Sequence, residues 1–93
     1  MKQIRDCIDR ALRGDRPLRK KWRGQVLRVK DYPFPVLVLM HYQHLVLIYC
    51  MERCKVLYSW HELPTDKRGH DAAIHYLEEL SKDGLEYQAS LTN

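Results

Sequence analysis

The longest apolar run of the chain extends from residue 35 to residue 51, with the sequence PVLVLMHYQHLVLIYCM. It is rich in β-branched valine and isoleucine, which lose little rotamer freedom on a pleated surface and therefore favour a strand over a helix. Polar residues interrupt the run only at 41–44, HYQH. The pattern predicts a β-hairpin that reverses there, with two strands of about six to eight residues. No Asn-Gly or Asp-Gly pair marks the turn, so loops of two, three or four residues all remain open.

A helix is predicted before the hairpin, over residues 3–12. Its apolar positions recur with the three- and four-residue spacing of one helix face, with charged residues outside that stripe. Gly14 is expected to end the helix, because glycine adopts the left-handed C-cap conformation without steric cost, and Pro17 prevents the helix from resuming. The residues of the apolar stripe are Ile4, Cys7, Ile8, Ala11 and Leu12.

Two further strands are predicted on either side of the hairpin. Residues 25–30 alternate between apolar and charged side chains, which is the pattern of a half-buried strand at a sheet edge. Pro33 and Pro35 then require a turn or extended connection, because proline lacks an N–H donor and disfavours the helical region in its predecessor. Residues 54–60 alternate again after a tight reversal at 51–53, and they predict the fourth strand.

A second helix is predicted to follow Pro64. Thr65 or Asp66 is a suitable N-cap, and the apolar spacing continues to about Lys82. Gly84 is expected to stop this helix. Residues 85–93 show no periodicity, so we expect a loosely held tail.

The element order predicts an α+β domain over residues 1–93: a four-stranded antiparallel meander flanked by an N-terminal and a C-terminal helix, α-ββββ-α. The two hairpin strands are apolar on both faces, so both faces of 36–39 and 45–48 need cover. Either the two helices lie on opposite faces, or they share one face and the other meets a second subunit in a homodimer. Leu39 and Ile48 are both expected to be core residues.

Composition excludes several classes of protein. The apolar run is interrupted by polar residues and is too short for a membrane span, so we expect no membrane association. The charged N-terminus MKQIRDCIDRAL does not have the pattern of a secretory signal. Three cysteines without a signal favour free thiols in the cytoplasm. No cofactor is predicted, since the four glycines are scattered singly and form no phosphate-binding loop.

The net charge of +4 is unevenly distributed, because eight of the 16 basic residues fall between residues 13 and 30, opposed there only by Asp15. Clustered cations release counterions from a nucleic-acid backbone, and an exposed indole can stack on a base. This predicts a nucleic-acid-binding arm. The alternative is a solvated charged segment whose tryptophan packs on the first helix. The residues predicted to bind are Arg16, Arg19, Lys20, Lys21, Trp22, Arg23, Arg28 and Lys30.

Weaker patterns suggest metal or thiol chemistry. Cys50 and Cys54 could face each other across the 51–53 turn and bind zinc together with His61 or Cys7, but the C-x3-C spacing lacks a second ligand pair. An active site built from His61, Glu62 and Cys54 is a further alternative. A metal- or thiol-dependent enzyme is therefore the third hypothesis, and we expect a protein without enzymatic activity.

The segment 41–80 carries a hairpin, then Tyr58 and Trp60 within LYSW, then His61 and the Thr-x-Lys-Arg of Thr65 to Arg68 at the start of the last helix. This order resembles small phage- and plasmid-encoded proteins that have a tryptophan followed by threonine and basic residues before a terminal helix. The resemblance implies an origin in a mobile element, whose proteins often bind nucleic acid or block a host machine. It implies no particular activity.

Together these patterns favour a small non-enzymatic binding protein whose basic arm contacts nucleic-acid phosphates. The alternative is an inhibitor of a host defence complex, in which the same basic residues bind an acidic or nucleic-acid-binding host protein.

Overall fold

A computed structural model describes residues 2–18 and 20–92, and of residues 82–92 the backbone only. The strands form one antiparallel sheet in the order β1-β2-β3-β4. This confirms the predicted α+β class and the α-ββββ-α order. Over these residues the elements are α1 (Lys2–Arg13), β1 (Trp22–Leu27), β2 (Val36–His41), β3 (His44–Cys50), β4 (Lys55–Ser59) and α2 (Pro64–Thr92).

Helix α1 buries the stripe that its sequence predicts, except that Leu12 is exposed. It ends in a Schellman motif, in which the N–H of Gly14 bonds to the carbonyl of Ala11 and the N–H of Asp15 to that of Arg10. Gly14 has a φ of 79°, the left-handed conformation that the prediction requires of it. The buried residues of α1 are Ile4, Cys7, Ile8 and Ala11.

Strand β1 occupies residues 22–27 rather than the predicted 25–30. It pairs with β2 from Trp22 opposite His41 to Leu27 opposite Val36. Because β2 begins only after Pro35, residues beyond Leu27 have no strand beside them. The position of β1 is thus set by its partner and not by its own alternation.

The hairpin of β2 and β3 turns through a two-residue loop, the shortest of the three lengths that the sequence allows. His41 pairs with His44 across it, and Tyr42 has a φ of 54°. Both β2 and β3 are largely buried, whereas every residue of β4 is exposed. The hairpin is therefore the centre of the sheet and β4 a free edge.

Both helices lie on the same face of the sheet. Helix α1 packs on β1 and contacts α2, which contacts β3 in turn. Leu39 is fully buried in the core between helices and sheet. Ile48 is only half-buried and lies outside that core, so its prediction as a core residue is wrong. Ile48 pairs with Val38, and alternation turns both away from the helices.

Helix α2 begins earlier and extends further than its sequence predicts. Pro64 is its first residue, a position where the missing N–H has no cost, so Asp66 is the third residue and not the N-cap. The helix continues through Gly84 to Thr92, where a loose tail was expected. One glycine costs a helix only about 1 kcal/mol, and good helix formers surround this one. Over the residues described, neither helix has a stretch long and apolar enough to cross a membrane.

Candidate phosphate-binding surface at the hairpin turn

Trp22 is a buried core residue and does not form part of an exposed arm. Only 3% of its surface is exposed. Its indole stacks on the His41 ring, with 4.2 Å between ring centroids and 14° between the planes, and it fills the space where a Cβ at Gly69 would lie. Trp22 therefore cannot stack on a base, which corrects its assignment to the nucleic-acid-binding set. The reason is that β1 begins at this residue and turns the indole toward α2.

The other predicted basic residues fall into two groups. Arg16, Lys20 and Lys21 are exposed and Arg23 is partly exposed, on the segment that leads into β1. Arg23 lies at the end of β1 that pairs with the hairpin turn, and Lys20 and Lys21 immediately precede that strand, whereas the Arg16 carbonyl accepts a bond from Arg10 of α1.

Arg28 and Lys30 follow the opposite end of β1 and are also exposed. At about 3.3 Å per residue, Arg28 lies roughly 17 Å along the chain from Arg23, so one compact ligand cannot engage both groups. Arg19 lies outside the described residues.

Two residues of the first group, Lys20 and Arg23, line an open cavity of about 640 Å³ at the hairpin turn, which we call the hairpin-tip surface. Arg16 and Lys21 do not line it. A guanidinium nitrogen of Arg23 donates to the Tyr42 carbonyl at 2.6 Å, and the Tyr42 N–H donates to the Lys21 carbonyl at 2.7 Å. These bonds fasten the turn to β1. The Tyr42 side chain stays 52% exposed. The residues lining the surface are Lys20, Arg23, Tyr42, Gln43 and His44.

A buried hydrogen-bonded pair, His41 and Asp66, lies beneath this surface. Asp66 is fully buried, and its Oδ1 lies 2.5 Å from Nδ1 of His41. Its Oδ2 accepts hydrogen bonds from the N–H groups of Leu63 at 3.0 Å and Glu62 at 3.3 Å. Burial alone would raise the pKa of Asp66, but the bond from His41 and those two backbone bonds outweigh burial and hold the pKa well below its usual range. Asp66 is thus an ionised carboxylate that only accepts hydrogen bonds, and the proton between the two groups lies on Nδ1 of His41.

His44 lies between the surface and the buried pair. Its Nδ1 is 3.6 Å from Oδ1 of Asp66 and has no hydrogen-bond partner among the described residues. Its ring packs edge-on against Trp60, with 5.2 Å between centroids.

The hairpin-tip surface has the chemistry of an anion site. It combines two cations with a half-exposed phenol ring, and none of the described residues that line it carries a carboxylate. Arginine and lysine form short charge-assisted hydrogen bonds with phosphate oxygens. An exposed aromatic ring beside them can stack on a base.

The residues proposed for metal or thiol chemistry do not come together. Cys54 lies before β4, with its Sγ 2.8 Å from Oγ of Ser81, whereas His61 lies beyond the other end of that strand, next to His70. Cys50 is buried and Cys54 exposed, and all three cysteines are free. Within the part of the chain that the structure describes, no group of three or more His, Cys, Asp or Glu side chains could hold a metal ion.

One contact resembles a hydrolytic triad in its residue types. Ser59 Oγ lies 2.5 Å from His70 Nε2, and His70 Nδ1 lies 3.1 Å from Asp71 Oδ1. The carboxylate of a working triad is buried and serves the histidine alone. Asp71 is 56% exposed and also bonds to Lys67 at 3.0 Å. We therefore interpret these hydrogen bonds as a structural contact that holds β4 against α2.

Local sequence patterns could not have indicated the buried pair. His41 and His44 flank a turn, where solvated polar residues are expected, and Asp66 lies 25 residues after His41. The one available signal is the position of Asp66 two residues after Pro64, because an acidic third residue of a helix commonly bonds back to the N-cap N–H.

Comparisons with known proteins add no relative. No protein-family model matches the chain, and no curated protein and no solved structure is significantly similar to it.

Proposed function

We propose that this protein is a small non-enzymatic binding protein that contacts nucleic-acid phosphates through the hairpin-tip surface. The observation that carries the proposal is the convergence of Lys20, Arg23 and the exposed ring of Tyr42 on one cavity, whose described lining includes no carboxylate. In this proposal Tyr42 takes the stacking role that the sequence suggested for Trp22. The free cysteines fit a cytoplasmic setting, and the segment 41–80 fits a mobile-element origin.

The hydrogen bonds that hold Arg23 and the hairpin turn in place support the same proposal. Arg23 is held by the Tyr42 carbonyl, and the turn is held by His41 on Asp66. A cation that is already in position loses less side-chain freedom on binding than a free one does. Lys20 is not held in this way and would contribute mainly charge.

The experiment is a fluorescence titration with single- and double-stranded oligonucleotides at several salt concentrations. Each neutralised phosphate contributes about 0.7 to 0.9 to the slope of log K against log salt. The double variant Lys20→Gln, Arg23→Gln should therefore flatten the slope by about 1.4 to 1.8. The matched control is Arg28→Gln, Lys30→Gln, which removes the same charge at the far end of β1 and should change the slope less.

Tyr42→Ala separates stacking from charge. The ring is half exposed, so its removal should weaken oligonucleotide binding by about 1 to 3 kcal/mol while the melting temperature and the salt slope change little. If the wild-type protein binds no oligonucleotide at low salt, the nucleic-acid proposal is wrong.

The second candidate function is inhibition of a host complex through an acidic or nucleic-acid-binding protein. Tyrosine and arginine dominate the hot spots of protein interfaces, and Tyr42 and Arg23 lie together at the turn. A pulldown from lysate with and without nuclease distinguishes the two candidates. Partners that survive nuclease support the inhibitor, and partners lost with nuclease support direct nucleic-acid binding.

A further inference from the structure

Tyr42 occupies a backbone position that its residue type does not favour. It has a φ of 54°, in the left-handed region, and is the first residue of the two-residue turn between β2 and β3. Glycine and asparagine adopt this conformation readily, whereas a bulky side chain is strained there because its Cβ crowds the backbone. Burial does not offset the strain, since Tyr42 is half exposed. The turn by itself therefore does not explain a tyrosine at this position.

Three aromatic rings lie in contact between the core and the hairpin-tip surface. The buried Trp22 indole stacks on the buried His41 ring, and His41 in turn contacts the exposed Tyr42 ring, with 4.7 Å between centroids and 47° between the planes. His41 is itself held by its bond to Asp66. A ring that is already supported loses less freedom when a ligand packs on it than a free ring does. Tyr42 is thus a supported aromatic platform at the surface.

A cation lies beside this platform. A guanidinium nitrogen of Arg23 donates to the carbonyl of Tyr42 itself, and both side chains line the hairpin-tip surface together with Lys20. A guanidinium carries five N–H donors, so the bond to the turn leaves others for a phosphate. The surface therefore presents an aromatic ring and phosphate-binding donors at the same turn.

We propose that the hairpin-tip surface takes single-stranded nucleic acid, with one unpaired base stacked on Tyr42 and an adjacent phosphate on Arg23 and Lys20. This ligand class rests on the phosphate-binding function proposed above. In a duplex, each base face is covered by the next base pair, so a side-chain ring reaches it only after the base is unstacked or flipped out. The bases of a single strand are free to stack on aromatic side chains. A half-exposed ring beside the cations therefore favours a single strand.

The number of cations also favours a single strand over a duplex. Among the described residues, two cations line the surface, and Arg28 lies roughly 17 Å along the chain from Arg23. Sequence-independent binding to a duplex depends almost entirely on how many phosphates the protein neutralises. Two cations neutralise few, whereas a single strand gains base stacking in addition. The single strand should therefore bind more tightly than a duplex of the same length.

The test is a fluorescence-anisotropy titration at low salt with three labelled probes. They are an oligopyrimidine strand that cannot pair with itself, the same strand with abasic sites, and the duplex of the strand with its complement. The abasic strand keeps the phosphates and lacks base faces, so it separates stacking from charge. The wild-type protein should bind the intact strand at least about fivefold more tightly than either other probe.

Tyr42→Gly and Tyr42→Ala form a matched pair of variants. Both remove the ring, but only glycine relieves the strain at a φ of 54°. Both should lose the preference for the intact strand, whereas Tyr42→Phe, which keeps a ring, should retain it. The glycine variant should nevertheless melt a few degrees above the alanine variant. A glycine variant that melts below it would refute the strain at residue 42.

Two results would overturn the single-strand assignment and leave phosphate binding intact. Equal, salt-dependent binding of all three probes by the wild-type protein would show that phosphates alone are recognised. A preference for the intact strand that persists in Tyr42→Gly would place the base contact on another residue. If the wild-type protein binds no probe at low salt, the phosphate-binding function is wrong as well.

Discussion

Replacing Asp66 by asparagine should be among the most destabilising near-isosteric changes in this chain. The carboxylate is fully buried and bonds to His41 and to two backbone N–H groups. Asparagine keeps the shape but loses the charge and has only one acceptor oxygen. Its NH₂ group must therefore face either the Nδ1 proton of His41 or the two backbone N–H groups, and that donor loses its partner. Leaving a buried hydrogen-bond donor without its partner costs about 1 to 3 kcal/mol, and more where the lost partner is charged. The free energy of unfolding of a small domain is only about 5 to 15 kcal/mol, so the variant should be clearly destabilised.

The pH dependence of the folded protein's stability is a second test of the same prediction. The pKa of Asp66 in the folded state lies below its unfolded value of about 3.9. The carboxylate therefore binds protons less readily in the folded state, and its contribution to stability is complete above that unfolded value. The contribution is lost as pH falls below about 4 toward the folded pKa. The contribution of the Asp66 carboxylate to the stability difference between wild type and Asp66→Asn should therefore shrink as pH falls below about 4.

Urea denaturation followed by tryptophan fluorescence is a suitable assay, because Trp22 stacks on His41, the hydrogen-bond partner of Asp66. Circular dichroism should give the same midpoints. The control is Asp71→Asn, the same substitution on the same helix at a solvated position bonded to Lys67. It should leave the midpoint nearly unchanged. If Asp66→Asn costs no more than this control, the buried pair does not stabilise the hairpin as we argue.

Two other substitutions test the core. Leu39→Asp places an unpaired charge at a fully buried position, which should cost several kcal/mol of stability and abolish cooperative folding. A soluble variant with a sharp thermal transition would contradict this. Gly69→Ala puts a Cβ where the Trp22 indole lies, so we expect a loss of about 1 to 3 kcal/mol of stability and an altered tryptophan emission maximum. Wild-type emission and melting temperature in this variant would show that the indole lies elsewhere.

The sequence predicts those elements whose formation depends on their own periodicity. The helical spacing of α1 and the β-branched hairpin run each dictate one structure, and both are confirmed. The start of β1 could not be predicted in the same way, because it depends on pairing with His41 and on the absence of a partner beyond Leu27. Gly84 does not mark the end of α2, because one glycine costs a helix less than the helix formers around it contribute.

The candidate site was only half predictable for a related reason. Lys20 and Arg23 are visible in the sequence as charged residues, but their separation from Arg28 depends on the length of β1. Trp22 is flanked by Lys21 and Arg23, so composition favours exposure, and only strand alternation reveals that it faces inward. The bond between His41 and Asp66 joins elements far apart in the chain, which no local pattern encodes.

The order of the candidate phosphate site and the absence of helices from the other side of the sheet have one structural origin, the placement of both described helices on the same side. Trp22 on β1 fills the space left by Gly69 on α2, and His41 of the hairpin bonds to Asp66 in the first turn of that helix. These contacts bring α2 against the side already occupied by α1, and they fix the hairpin turn beside Lys20 and Arg23. Because neither helix then remains for the opposite side, its central residues Val38 and Ile48 stay only half-buried in the described chain. The contacts that order the candidate phosphate site are therefore also the ones that set which side of the sheet the helices cover.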